Sequence, residues 1–175
     1  MPKIIEGARE KILANAKRRL FEKGYQHLSL REVAKESGIA TGTIYNYFAN
    51  KDYLIASIML EDWVAAMEKM EERVNAATSV KEGVFGICRS VDEFGHIYAA
   101  VWRQPSVAAA AKPDFEQRHD VLTNQLAEQV TRLLKKTGYG DKMMFTALIV
   151  ELILISYGKE NVREQLGELL QQLYP

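Results

Sequence analysis

The 175-residue sequence holds a single cysteine, Cys88, and four prolines. One thiol excludes an internal disulfide and any zinc or iron–sulfur centre built from several cysteines. So few prolines, scattered among long periodic segments, leave helices free to run. No charge-free apolar stretch reaches the ~18 residues that a membrane-spanning helix needs. The opening MPKIIEGAREK lacks an apolar core of signal-peptide length. These absences point to a soluble, cytoplasmic protein with no membrane partner. Overall charge of one sign is missing too, because 23 Lys and Arg balance 23 Asp and Glu. That balance argues against uniform attraction to nucleic acid.

The charges are unevenly placed, however. Residues 1–52 carry ten Lys and Arg against six acids, an excess of four positive charges, and residues 53–175 carry 13 against 17. One end of the chain is thus fitted to face a polyanion. About 47% of the residues are apolar and 26% charged, a globular composition that can bury a core.

Apolar residues recur at helical spacing along most of the chain. Ile12, Leu13, Ala16, Leu20 and Phe21 form one face of a first helix, roughly 5–23, with Lys11, Lys17, Arg18 and Arg19 as its solvated face. Gly24 supplies a stop. Ser29-Leu30-Arg31-Glu32 has the pattern of a capping box and opens a short helix. Gly38 turns the chain, and 41–48 form another short helix. Asn50 can cap a long helix from Lys51 to about Ala77. Ser79-x-x-Glu82 repeats the box and opens a further helix, and Gly95 and Pro105 divide the region after it into shorter pieces. Asp114 to Lys136, Met143 to Ile155 and, after an Asn161-x-x-Glu164 cap, Val162 to Leu173 complete the series. There is no strand-like alternation and no repeat, so the expected fold is all-α, with about nine helices.

The stretch 29–48 carries the chemistry. Two short helices that cross closely need a small residue where one passes over the other. They also need a turn residue tolerant of positive φ, and apolar inner positions on both. Ala34, Gly38 and the set Val33, Ile39, Ile44 and Tyr47 meet these needs, giving a helix–turn–helix. Its second helix can enter a major groove, where side chains near the N-terminus reach base edges. Thr41, Thr43, Tyr45 and Asn46 are the outward candidates. Gly42 lets backbone approach, Phe48 is core, and Ser29 offers a phosphate contact besides its cap.

Residues 28–51, LSLREVAKESGIATGTIYNYFANK, resemble the DNA-binding signature of the TetR family of bacterial transcriptional repressors. The preceding Leu20-Phe-Glu-Lys-Gly-Tyr25 resembles the end of that family's first helix. The resemblance covers about the first 55 residues, with Gly42-Thr-Ile-Tyr-Asn-Tyr-Phe48 its most specific part. Ala40 departs from it, standing where members often carry a capping Ser; Thr41 is the substitute. By this resemblance Tyr47 and Lys51 hold the DNA backbone and Arg31 reaches a base. It also implies a helix–turn–helix domain over 1–52 and a helical ligand-binding and dimerisation domain over 53–175. The expected function is a ligand-responsive homodimeric repressor on a palindromic DNA operator, paired through the last two helices.

For a small-molecule effector the middle helices offer Trp63, Met67, Phe85, Cys88, Phe94, Tyr98 and Trp102, residue types that line apolar cavities and equally build plain core. Asp92 and His96 lie one helical turn apart, a pairing more often a hydrogen bond than a metal site. No resident cofactor or metal is expected. A helical protein-interaction module and a small enzyme stay open as alternatives, the latter disfavoured because nucleotide-binding loops, nucleophile–base sets and metal-ligand clusters are absent.

Overall fold

Three glycines with positive φ punctuate the first part of the chain and decide where its helices begin and end. A computed structural model describes residues 7–103 and 115–175, without the side chains of Trp102 and of residues 115–119. Gly7 precedes α1 (Ala8–Lys23), and Gly24, at φ 80°, closes it by donating its N–H to the Leu20 carbonyl. A 3-10 turn (Tyr25–His27) leads to α2 (Leu30–Ser37), which Gly38 ends at φ 70°. Then come α3 (Thr41–Ile44), α4 (Lys51–Ala76), α5 (Val80–Trp102), α6 (Phe115–Lys136), a 3-10 segment (Gly140–Phe145), α7 (Thr146–Ile155) and α8 (Glu160–Leu173). Among the described residues, regular structure is entirely helical, in eight α-helices.

The differences from the sequence expectation have local causes. The helix after Gly38 is one turn long, because Ala40 offers no side-chain cap and Gly42 weakens the first turn. The chain then continues as turns, with Phe48 N–H bonded to the Ile44 carbonyl at 2.9 Å. Gly95 does not break α5. It sits under the Tyr157 ring, where an added Cβ would collide with ring atoms. Met143 belongs to the 3-10 segment, and α7 starts only after the non-helical Lys142 (φ −98°, ψ 18°). Asn161 lies inside α8, whose cap position is Lys159, with no side-chain cap bond.

The described residues cluster as two compact units, one formed by residues 7–63 and 98–103, the other by residues 64–97 and 115–175. In the first, Ile12, Leu13, Ala16, Leu20, Leu28, Val33, Ala34, Ile44, Phe48, Leu54 and Ile58 make the core, each 3% exposed or less. Tyr98 joins it. Its ring lies 6.0 Å from that of Phe21, and its hydroxyl donates to Asp62 at 2.5 Å. Asp62 also pairs with Lys17 of α1.

The second unit is stitched by charged side chains around Val84, Ile87, Leu126, Val130, Leu133, Ile153 and Leu170. Arg73 donates to Ser90 at 2.7 Å and to Glu93, and Arg163 grips both oxygens of Asp92. Lys136 gathers the carbonyls of Val74, Asn75 and Ala77 at the C-terminal end of α4, where a cation meets the helix dipole. In this unit the Glu82 carboxylate accepts from the N–H of Thr78, and its own N–H donates to the capping Ser79 hydroxyl.

Burial, together with the hydrogen bond to the Asp62 carboxylate, pushes the Tyr98 phenol far above the ordinary tyrosine value. Below about pH 10 folded and unfolded chains both keep this proton. Above it the unfolded chain loses the proton and the folded chain retains it, so stability falls as pH rises. Urea unfolding at pH 8 and pH 10.5 is expected to show this fall. Tyr98→Phe should reduce the fall while costing about 1 kcal/mol at pH 8, where the half-buried Asp62 carboxylate loses a donor and keeps Lys17.

Candidate nucleic-acid interface

The head is assembled by short-range capping and one buried cation. Ser29 takes extended geometry (φ −134°, ψ 143°), accepts the Glu32 N–H at 3.2 Å, and donates its hydroxyl to Glu32 Oε2 at 3.1 Å. At the other end of α2, Gly38 in the left-handed region returns its N–H to the Ala34 and Lys35 carbonyls. Only glycine adopts this turn without strain. Ala34, Val33 and Ile44 are fully buried where α2 and α3 meet, as close crossing requires.

Arg19 corrects the sequence reading. Instead of lying on a solvated face, it is 7% exposed. Nε donates to the His27 carbonyl at 3.2 Å, Nη1 to Glu36 at 2.6 Å, and Nη2 pairs with Glu32. One planar fork thus ties α1 to the 3-10 turn and to two carboxylates, one turn apart on α2. Arg18 adds a pair to Glu36 at 3.3 Å, and Asn15 donates to Ser37 at 3.0 Å. Lys17 and Arg18 each hold a carboxylate, so neither is a free cation. The signal for this arrangement in the sequence is Glu32 and Glu36, two acids at helical spacing facing a helix that carries a Lys-Arg-Arg run.

This pairing leaves a particular set of cations without carboxylate partners. Of the acids in this region, Glu32, Glu36, Glu61 and Asp62 are paired with cations of α1, Asp52 accepts the Tyr25 hydroxyl at 2.8 Å, and Glu10 and Glu22 are exposed with no ion pair among the described residues. Among the described residues, Lys11, Lys23, Arg31, Lys35 and Lys51 form no ion pair with a carboxylate. Arg31 is exposed in the first turn of α2. On α3 and the turn after it, Thr41, Gly42, Tyr45 and Asn46 are exposed, with Tyr45 at 53%. Thr43 is half-buried, as is Tyr47. Ile44 and Phe48, at 0%, anchor the opposite face. Asn50 caps α4, its side chain accepting the Tyr53 N–H at 2.7 Å. The Lys51 ammonium sits 3.7 Å over the Tyr25 ring, and burial holds it below the ordinary lysine range, an effect that Asp52 offsets in part. An open hollow of about 750 Å³ lies between Arg19, Lys23, Gln26, His27, Ser29 and Glu32.

The expected effector residues fall in different units. Trp63 and Tyr98 belong to the first; Met67, Phe85, Cys88 and Phe94 belong to the second; the Trp102 side chain lies outside those described. Phe85 packs against Gly167, and Cys88 is 1% exposed with a weak contact to Ser156 at 3.8 Å. Burial pushes the Cys88 thiol up. Asp92 is committed to Arg163, and His96 Nδ1 meets the Asp92 carbonyl at 3.2 Å. Among the described residues, no group of three or more His, Cys, Asp and Glu is placed to hold a metal, and no helix is long and apolar enough to cross a membrane.

A sequence model described as bacterial regulatory proteins, tetR family, matches residues 12–58, which include α2, α3 and the start of α4. Over 155 residues the chain is 31% identical to the HTH-type transcriptional regulator UidR of Escherichia coli K12, covering 83% of this chain and 76% of that one. The chain belongs to the TetR family. Its members are transcriptional regulators rather than enzymes, and the helix–turn–helix is their DNA-binding element. A second relative, 28% identical over 155 residues and matching 82% of this chain and 75% of its own, is the HTH-type transcriptional repressor Rv1474c of Mycobacterium tuberculosis. Among solved structures, RolR in complex with resorcinol shares the fold, with a TM-score of 0.63, 18% identity and coverage of 97% of this chain and 88% of that one.

Arg19→Leu leaves Glu32 and Glu36 on α2 without their main partner. We expect a loss of about 1–2 kcal/mol in urea unfolding, from the charge-assisted hydrogen bonds that the fork makes, because the carboxylates left behind are 50% and 31% exposed and are solvated by water. Glu32→Gln alone should cost under about 1 kcal/mol, because that carboxylate is half exposed.

Proposed function

We propose that the protein is a homodimeric repressor that binds a palindromic operator with two copies of α3 and releases it when a small molecule binds the body. The observation that carries this reading is the surface of α3: Thr41, Gly42, Tyr45 and Asn46 face solvent while Ile44 and Phe48 hold the other side. Residues 1–52 act as the reading head and 53–175 as the ligand-binding and dimerisation body. In the major groove Thr43, Tyr45 and Asn46 meet base edges and Thr41 and Gly42 sit against the duplex. Arg31 presents a fork suited to guanine O6 and N7, and Ser29, Tyr47 and Lys51 meet phosphates. The site of action is the cytoplasm, where bacterial DNA is.

Pairing is supported by the second unit. Met144 is 82% exposed, Leu148 49% and Ile155 48%, all on one stripe through α7 and the turn before it. Val162, Leu169 and Leu173 of α8 are only half-buried. A second copy of the same two helices covers such a stripe self-complementarily. Two heads about one DNA turn apart, roughly 34 Å, then read a two-fold symmetric site. The repressor sense is supported by the relative that bears that name. The effector is supported by the RolR complex as a likeness of fold; in this chain Met67, Phe85, Cys88 and Phe94 supply apolar, polarisable surface for a small organic ligand. Its effect on DNA affinity should correspond to about 1–3 kcal/mol of coupling.

In fluorescence-anisotropy titrations, Thr43→Ala and Asn46→Ala are expected to lose about 1–3 kcal/mol of preference for particular base pairs. Lys51→Ala and Tyr47→Phe should weaken cognate and random duplexes alike. Equal losses on both duplexes for all four would contradict the base-reading role of α3. By analytical ultracentrifugation the wild-type chain should sediment as a dimer and Leu148→Glu as a monomer; a wild-type monomer would overturn the pairing.

A further inference from the structure

We infer that Tyr25 is the positioning residue for the phosphate-binding Lys51, seating its ammonium and holding the adjacent Asp52 carboxylate off it. The inference rests on the DNA-binding reading above and adds a residue outside the groups that meet DNA.

Three contacts converge on one ring. Tyr25 begins the 3-10 turn between α1 and α2, directly after Gly24, whose positive φ redirects the chain. The Lys51 ammonium lies 3.7 Å over the Tyr25 centroid, well within cation–π range. The hydroxyl of the same ring donates to Asp52 Oδ1 at 2.8 Å. Lys51 and Asp52 are the first two residues of α4, so a phosphate-attracting and a phosphate-repelling charge sit side by side. Asp52 benefits from the helix N-terminus and is retained there by the dipole. Left alone, its carboxylate would draw the ammonium into a local pair and oppose any phosphate beside it. Tyr25 keeps the two charges apart, one on the ring face and one at the ring edge.

The arrangement also fixes a flexible side chain in advance. A lysine has four rotatable bonds, and a freely moving one must be ordered when it meets phosphate. On the Tyr25 face Lys51 is half-buried and already ordered. Donation of the phenol proton to a carboxylate enriches the ring in electron density, which strengthens its hold on the cation.

The test is the salt dependence of duplex binding by the full chain. One phosphate contact contributes about 0.9 to the slope of log K against log salt, or about eightfold in affinity at 0.1 M salt, per bound head. Tyr25→Leu is expected to lose about that slope, and adding Lys51→Ala to it should change the slope little further. Tyr25→Phe frees Asp52 and should weaken binding severalfold; Asp52→Asn should restore it, with a larger gain in the Tyr25→Phe chain than in wild type, a coupling that a merely structural role for the ring does not produce. Circular dichroism checks that each variant is folded, and the Phe and Asn variants decide the matter if Tyr25→Leu is not. An unchanged slope in Tyr25→Leu, or no rescue by Asp52→Asn, overturns the inference while wild-type binding stands. A wild-type chain without salt-steep binding overturns the DNA reading and this inference together.

Discussion

The direction in which α3 points depends on Arg19. Its guanidinium leaves α1, accepts burial, and is neutralised by Glu32 and Glu36 of α2 while Nε caps the His27 carbonyl. A buried ion pair is a weak source of net stability, since desolvation offsets most of the attraction. Its value here is directional. A flat fork with five donors accepts only a narrow range of partner positions, so the angle between α1 and α2 is set. Gly38 and Ala34 then set α3 against α2, and every outward side chain of α3 inherits that geometry.

The same pairing arranges the electrostatics. The chain as a whole is neutral, and its positive end exceeds its acids by only four charges. Glu32, Glu36, Glu61 and Asp62 are occupied by cations of α1. Lys11, Lys23, Arg31, Lys35 and Lys51 are left without carboxylate partners among the described residues. Folding thus separates internally paired charges from a set of cations open to a polyanion, with Glu10 and Glu22 remaining as exposed acids of α1.

Local rules made much of the head legible from sequence. Ser29 and Glu32, Gly24, Gly38 and Asn50 act through partners within four residues, and each took the expected place. What escaped depends on distant partners. Arg19 reads as a surface charge until α2 is laid across it. Gly95 reads as a helix breaker, yet it marks where the Tyr157 ring crosses α5 and needs the space of a missing side chain. Ala40 and Gly42 shorten α3 below the helix that its apolar spacing implied. Lys142, which reaches the Leu173 carbonyl at 2.5 Å, delays α7 in a way that no periodicity signals.

The base-reading role of α3 is tested most directly by selecting bound duplexes from a random pool with the 175-residue chain at about 0.15 M salt, near the physiological value. The account predicts enrichment of one two-fold symmetric sequence, with half-site centres about 10 base pairs apart. Recovery of duplexes with no shared sequence, retained only according to length and salt, would contradict it.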